Sequence, residues 1–235
     1  SGVSHIDTPQ DHAFFATLYK FASKYNIKTI LTGGNLSTEA IRNPIGWMYY
    51  QSDAVQLRDI HHKHGRIPLA NFPTTNILWH KVYLPYFRKI KVFRPLDSIP
   101  YEKERAKRFL IDEYGWHPYP QKHFESRFTR FYESFWLPKR YGYDVRKVQF
   151  SCLILTGQMT RKDALQQLKI SPWDESTIND DINFVSKKLD ITSHELLSYL
   201  DIPFKSYTDY QSLYPLYNIG ASVMNALRLE VGGKR

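Results

Sequence analysis

A pair of glycines after a short apolar run is the part of this sequence best suited to hold a negatively charged ligand. The run is Thr29-Ile30-Leu31, and residues 32–39 after it read Thr-Gly-Gly-Asn-Leu-Ser-Thr-Glu. Adjacent glycines let the backbone approach a ligand and adopt positive φ, and free N–H groups at the start of the next helix attract phosphate or carboxylate. A glycine pair after a strand is also an ordinary turn, so both interpretations stay open.

A second polar group begins at Lys122 and reads Lys-His-Phe-Glu-Ser-Arg-Phe-Thr-Arg-Phe. On a helix, His123, Arg127 and Arg130 share one face, Lys122 and Ser126 border it, and a stripe of phenylalanines on the opposite face is expected to be core. A solvated basic surface is one explanation. The aromatic content favours burial, and a buried cationic face requires an anionic ligand or partner.

The first of these groups lies in a segment with the pattern of an α/β layer. Apolar residues at helical spacing predict a helix over residues 9–26, and the next apolar run predicts a strand over 29–31. The other good strand candidate is 91–94, before Pro95. Two short strands make a thin sheet, so we expect its other strands to lie outside this chain.

Beyond Pro100 the periodicity is helical almost to the end of the chain. The predicted helices cover residues 101–114, 123–141, 144–156, 160–168, 175–189, 192–200 and 208–229. Asp144, Thr160 and Thr192 are the expected N-caps of three of them. Four tyrosines at 207, 210, 214 and 217 could form either a core or an interface. The predicted fold class is therefore α/β, with an α/β part over residues 1–99 and a mostly α-helical C-terminal region over 100–235 that completes the cleft and forms a partner surface.

Composition narrows the class of protein and its partners. The chain has 235 residues, 42% apolar, and a formal charge of +9, which favours nucleic acid, an anionic membrane or a phosphorylated small molecule as partner. The sequence has one cysteine, Cys152, which excludes an intrachain disulfide and a cysteine zinc cluster. Its position in an apolar stretch predicts that it packs inertly in the core. With no 18-residue apolar run and no signal peptide, we expect a soluble protein of the reducing cytoplasm.

Several segments in a fixed order resemble the N-acetyl sugar amidotransferases of lipopolysaccharide and other surface polysaccharide biosynthesis. The resemblance runs over most of residues 5–190 and is carried by residues 9–16, 31–39, 94–101, 122–131, 137–139 and 155–161. It implies an ATP-pyrophosphatase fold, adenine nucleotide alpha hydrolase-like, as in asparagine and NAD synthetases. It also implies a reaction in which ATP and Mg²⁺ activate the N-acetyl group of a nucleotide-linked sugar and ammonia converts it to an acetamidino group.

The same resemblance implies roles for particular residues. The nucleotide side of the cleft would be lined by Thr32, Gly33, Gly34, Asn35 and Glu39. Glu39 would also contact Mg²⁺. The catalytic residues would be Lys122, His123 and Arg127, with Lys122 on a phosphate and His123 orienting the acetamido group or carrying a proton. Glu125 and Arg130 would bind the substrate.

Two features that the family reaction requires are not found in this sequence. Family members carry a Ser-Gly-Gly-x-Asp-Ser pyrophosphate loop, whereas residues 32–37 only imitate it, with Leu36 where the aspartate should stand. The chain resembles the C-terminal two-thirds of the family, and alone it is expected to be inactive. No cysteine-histidine glutaminase pair is visible, so a separate glutaminase and an ammonia-channelling subunit are implied as partners.

Two other functions remain open at this stage. A tRNA-modifying or other nucleic-acid-binding relative would fit the basic, aromatic-rich composition, although the basic residues are scattered and form no dense run. A non-catalytic interaction subunit, with a helical region that docks a glutaminase, is the second.

Overall fold

The structure is a computed structural model and describes residues 1–41, 43–44, 47, 50, 52–119 and 123–226. The helices are α1 Thr8–Lys24, α2 Leu36–Glu39, α3 Ala54–His64, α4 Lys103–Tyr114, α5 Arg127–Arg130, α6 Leu137–Tyr141, α7 Arg146–Leu155, α8 Arg161–Leu168, α9 Ile178–Leu189, α10 Ser193–Ser198 and α11 Tyr214–Ala226. Two π-helical segments, π1 Trp79–Phe87 and π2 Phe131–Trp136, and 3₁₀ turns at Pro95–Ser98 and Tyr207–Asp209 complete the helical elements. The strands are β1 Thr29–Leu31 and β2 Lys91–Phe93.

The chain forms two compact units, each made from separate stretches of sequence. Unit 1 contains residues 1–32, 43–94 and 204–235, and unit 2 contains 33–42 and 95–203. This division differs from the predicted boundary at 99/100 in two places. Residues 33–42 pack with the helices of unit 2, and the segment after residue 203 packs within unit 1. Both differences arise from contacts between residues that are distant in sequence.

Unit 1 contains the predicted helix and both predicted strands. β1 and β2 pair in parallel, with Thr29 opposite Lys91 and Leu31 opposite Phe93. Behind them, buried Tyr19 and Ala22 of α1 pack in one apolar cluster that also contains Leu84 and Ile90. The sheet is as thin as the sequence predicted, and an ATP-pyrophosphatase layer stays a prediction.

One buried aspartate, Asp53, fastens the C-terminal segment within unit 1. Its Oδ1 accepts hydrogen bonds from the N–H groups of Val55 and Gln56, both at 3.0 Å, and so caps α3. Its Oδ2 accepts from Leu213 N at 2.7 Å and from the Tyr207 hydroxyl. Burial and this carboxylate raise the pKa of Tyr207. Tyr207 therefore belongs to the core of unit 1, and the same is true of buried Tyr210.

Unit 2 is organised around an aromatic core. The phenylalanine stripe was expected to be core, and buried Phe131 and Phe135 confirm this. They pack in one cluster with Ile182 and Val185 of α9 and Leu196 of α10. The predicted caps of α8 and α10 are also confirmed, because the side chains of Thr160 and Thr192 accept hydrogen bonds from the backbone three residues later. At α7 the N-cap is Val145, and Asp144 Oδ1 accepts from Arg146 N at 3.0 Å. Of the helices in the described residues, none combines the length and apolar character that a bilayer crossing requires.

Two histidines of unit 1, buried His5 and partly buried His80, make its stability depend on pH. Burial lowers the pKa of His5 and of His80 to about 4, from 6.5 when exposed. Their contribution is therefore complete above pH 6.5 and is lost as the pH falls from 6.5 towards 4, by up to about 3 kcal/mol for each ring.

Chemical denaturation from pH 8 to 4 measures this loss. We expect His80→Gln to flatten the dependence, whereas His117→Gln, at an exposed position, leaves it as in the parent. Equal slopes in the parent and His80→Gln would contradict the assignment to burial.

Candidate functional site

The glycine-containing loop belongs to unit 2, where one glutamine connects it to two other segments. Gln158 Nε2 donates to Ser37 Oγ at 2.9 Å and to the Tyr101 carbonyl at 3.1 Å. Its Oε1 accepts from Lys103 N at 2.8 Å. Gly157, at φ +70°, makes the turn that follows α7. Gln158 was not among the predicted site residues, although it lies in one of the segments that carry the family resemblance.

The single cysteine forms a second anchor for the same loop. Cys152 is fully buried, and its Sγ accepts a hydrogen bond from Ile41 N at 3.3 Å. The prediction that Cys152 serves packing is confirmed. A thiol held in this way has no access to a substrate, so it is not a nucleophile of a glutaminase type.

Two of the first three backbone donors of α2 are already occupied. Leu36 N donates to Asp97 Oδ1 at 2.8 Å, and Thr38 N donates to the side chain of its N-cap, Asn35, at 3.0 Å. The prediction that these N–H groups are free for an external anion is therefore wrong. A carboxylate of the same unit takes that place, and its negative charge would repel a phosphate group.

The glycines of the loop do not have the backbone conformation that the sequence predicted. Neither Gly33 nor Gly34 has positive φ, and a methyl group added at Gly33 would meet no atom within 4 Å. The fold of unit 2 therefore sets no steric requirement for glycine at 33. A contact between Gly33 and a ligand stays a prediction.

The other predicted nucleotide residues are placed as follows. Thr32 belongs to unit 1, where its N–H donates to the Phe93 carbonyl at 3.0 Å and extends the strand pairing. Glu39 is half-buried in α2 of unit 2. Among the described residues, no three His, Cys, Asp or Glu side chains form a group able to hold a metal ion. Mg²⁺ commonly uses one or two carboxylates with phosphate oxygens, so a contact with Glu39 stays a prediction.

The second predicted group is only partly helical. The helix begins at Arg127, because the Ser126 side chain caps it by accepting a hydrogen bond from Thr129 N. His123 lies in the preceding turn at φ +68°, so the prediction that it shares a helix face with Arg127 and Arg130 is wrong. Glu125 is exposed in the same turn. Lys122 lies outside the described residues.

Arg127 and Arg130 converge on one buried carboxylate. Asp181 Oδ1 accepts from Arg127 Nε at 2.7 Å and from Arg130 Nη2 at 2.6 Å, and Oδ2 accepts from Arg130 Nε at 2.9 Å. These bonds raise the pKa of Arg130. The Asp181 side chain is 3% exposed, whereas those of Arg127 and Arg130 are 41% and 35% exposed. The sequence predicted an anionic partner for this face, and the structure supplies one from α9.

A comparison with protein families matches the segment that contains this cluster. Residues 125–224 match the family described as LPS biosynthesis protein WbpG-like, C-terminal domain. The chain thus contains a domain similar to one of lipopolysaccharide biosynthesis. The matched segment includes Arg127, Arg130 and Asp181 but not the loop over residues 33–39. Neither the comparison with curated proteins nor that with solved structures found a match.

Replacing Gly33 by alanine separates the demands of the fold from those of a ligand. Because the added methyl group has room and φ is not positive, we expect Gly33→Ala to leave the free energy of unfolding unchanged within about 1 kcal/mol. If the loop contacts nucleotide, the affinity for Mg²⁺-ATP falls about tenfold in the natural protein that contains these residues.

Gly157→Ala is the comparison variant for Gly33→Ala, because Gly157 has a positive φ and Gly33 does not. At φ +70° an alanine is strained, so we expect a loss of about 1–2 kcal/mol in the free energy of unfolding. Denaturation and calorimetric titration measure the two effects. Unchanged ATP affinity in Gly33→Ala would show that the loop does not face the nucleotide.

Proposed function

We propose that this chain is part of an ATP-dependent amidotransferase that converts the N-acetyl group of a nucleotide-linked sugar to an acetamidino group during lipopolysaccharide biosynthesis. The observation that carries the proposal is the match of residues 125–224 to a domain of lipopolysaccharide biosynthesis. The partly exposed arginine pair within that segment supports the proposal, because it would give phosphate groups a cationic surface. The reaction itself comes from the resemblance of the wider sequence to N-acetyl sugar amidotransferases.

The chemistry requires activation because an amide oxygen is a poor leaving group. In the first step the oxygen of the N-acetyl group attacks the α-phosphate of ATP, a P–O bond forms and pyrophosphate leaves. In the second step ammonia adds to the activated carbon, gives up a proton, and AMP departs with the former amide oxygen. The products are the acetamidino sugar, AMP and pyrophosphate, so atoms and charges balance.

The arginine pair is suited to the first of these steps. Negative charge develops on the transferring phosphoryl group and on pyrophosphate, and preorganised cations stabilise it. Arg127 and Arg130 present guanidinium groups, which bind phosphate oxygens in a bidentate manner. Lys122, next to them in the sequence, would add a third cation. Glu125 is exposed in the turn before α5 and would contact a sugar hydroxyl.

The second step needs a group that accepts a proton from the attacking ammonia. His123 is exposed in the turn four residues before Arg127, and an imidazole accepts protons near neutral pH. It would alternatively orient the acetamido group. Both roles of His123 are implied by the family resemblance, and both require that its imidazole ring be exposed.

The loop of unit 2 is proposed to face the nucleoside part of ATP. The start of α2 is unsuitable for the phosphate groups of ATP, because the Asp97 carboxylate already accepts a hydrogen bond from Leu36 N there. Gly33, Gly34 and Asn35 would instead line the adenosine or adenylate, with Thr32 at their start. Mg²⁺ would be held by Glu39 together with phosphate oxygens, where it neutralises charge on the leaving group.

Ammonia is proposed to come from a separate glutaminase through an ammonia-channelling subunit, in the cytoplasm. The buried state of Cys152 supports this division of labour, since the one cysteine of the chain is not placed to attack glutamine.

The proposal is tested by following AMP and pyrophosphate with the natural protein that contains these 235 residues. We expect AMP to form only when Mg²⁺-ATP, ammonium and a nucleotide-linked N-acetylated sugar are all present. Arg127→Ala and Arg130→Ala are each expected to lower the rate about 10²-fold, as for loss of one stabiliser of transition-state charge. Arg108→Ala, at an exposed position on α4, is the matched control with unchanged rate.

Two results would contradict the proposal. AMP formation that depends on tRNA and not on the sugar would favour an RNA-modifying function. A stable complex with the glutaminase, together with no ATP binding, would favour a non-catalytic interaction subunit.

A further inference from the structure

Asp181 is a buried charged residue of unit 2 for which the sequence predicted no role. It lies on α9, more than 50 residues after the two arginines that contact it, at separations of 54 and 51. Both of its oxygens accept hydrogen bonds from guanidinium nitrogens. The carboxylate thus determines where two cationic groups lie relative to each other.

The two guanidinium groups keep most of their donors. Each carries five N–H bonds, of which Arg127 gives one and Arg130 gives two to Asp181. Within the part of the chain that the structure describes, the Nη groups of Arg127 and the Nη1 group of Arg130 make no hydrogen bond to the protein. Both side chains are more than a third exposed, at 41% and 35%, so these donors are accessible to a solute.

A second contact restricts the orientation of Arg127. Its guanidinium carbon lies 4.7 Å from the centre of the Phe184 ring, one turn of α9 after Asp181. The plane of the group is therefore held by the ring as well as by the carboxylate. Lys188 Nζ, 5.8 Å from the same ring, adds a further positive charge.

The local balance of charge favours an anion. Arg127 and Arg130 contact the buried carboxylate of Asp181, and Lys188 lies at the Phe184 ring beside Arg127. Asp174 acts electrostatically on Arg130 from the exposed segment before α9. At the contact itself two guanidinium groups share one carboxylate, which leaves one positive charge on the exposed side, with the buried carboxylate behind it. Two guanidinium groups in fixed positions match the oxygens of one phosphate group.

We propose that Asp181 is a positioning residue that holds Arg127 and Arg130 as one fork for a phosphate group. The ligand class, phosphate of either ATP or the nucleotide-linked sugar, rests on the proposed function. The fork itself rests on the hydrogen bonds of Asp181 and on the donors that they leave accessible.

Charge and positioning make opposite predictions for Asp181→Asn. Removal of a negative charge beside two arginines would, through Coulomb attraction alone, strengthen the binding of an anion. Loss of the acceptor that orients both guanidinium groups would weaken it. We expect positioning to dominate, so that affinity falls although the site becomes more positive.

The test is calorimetric titration of the full chain with inorganic pyrophosphate, Mg²⁺-ATP and UDP, each at one fixed low ionic strength. We expect Asp181→Asn to weaken binding about tenfold for at least one of them, as for the loss of an oriented charged hydrogen bond. Asp180→Asn is the matched control, because Asp180 is the exposed neighbour on the same helix, and binding should not weaken.

A second variant covers the case in which Asp181→Asn does not fold, since removing one partner of a buried ion pair is strongly destabilising. Arg127→Lys preserves the charge of an exposed side chain but replaces the planar fork by a single ammonium group. We expect about tenfold weaker binding here too. Arg108→Lys, on α4, should bind as the parent does. Circular dichroism confirms that each titrated variant is folded.

The outcomes separate the sources of phosphate and the two proposals. Weaker binding of ATP and pyrophosphate alone assigns the fork to ATP, and weaker binding of UDP alone assigns it to the sugar nucleotide. Equal or tighter binding in folded Asp181→Asn, or no change in Arg127→Lys, overturns the positioning role. If Asp181-dependent binding is found but the natural protein never modifies a sugar, the inference stands and the proposed function fails.

Discussion

The arrangement of unit 2 depends on the need to pair one buried carboxylate. An ionised Asp181 away from water is unfavourable unless its oxygens are hydrogen-bonded, and the two arginines of the α5 segment meet that need. This requirement fixes α5 against α9, and the aromatic core from Phe131 to Trp136 packs in the register that results. The two guanidinium groups are therefore positioned by the same hydrogen bonds that satisfy the buried carboxylate of α9.

A comparable arrangement holds the loop that contains Gly33 and Gly34. Gln158 uses both ends of its amide to join Ser37, Tyr101 and Lys103, and Cys152 accepts from Ile41. An amide can do this because it donates and accepts at once. The loop is thus anchored within unit 2 by hydrogen bonds on both sides. The N–H of Leu36 at the start of α2 is paired as well, with the Asp97 carboxylate.

The sequence was sufficient where structure is local. Helical periodicity, the caps at Thr160 and Thr192 and the two short strands were all predicted, because each depends on neighbours within a few residues. It was insufficient where a polar group finds its partner far along the chain. The sequence indicates that the N–H of Leu36, at a helix start, and the two arginines need anionic partners. It does not indicate that Asp97 and Asp181 are those partners. The compact units likewise join residues that are distant in sequence, since Asp53 and Tyr207 meet across 154 residues, and the domain boundary at 99/100 stays a prediction.

The central claim is that ATP activates the oxygen of an N-acetyl group, and isotopic labelling tests it most directly. A nucleotide-linked sugar with heavy oxygen in its N-acetyl carbonyl is incubated with Mg²⁺-ATP, ammonium and the natural protein, and the masses of AMP and sugar are measured. The account predicts that the heavy oxygen appears in the phosphate of AMP and that the sugar gains an imino nitrogen in its place. Retention of the label in the sugar, or its release as water, would contradict the account.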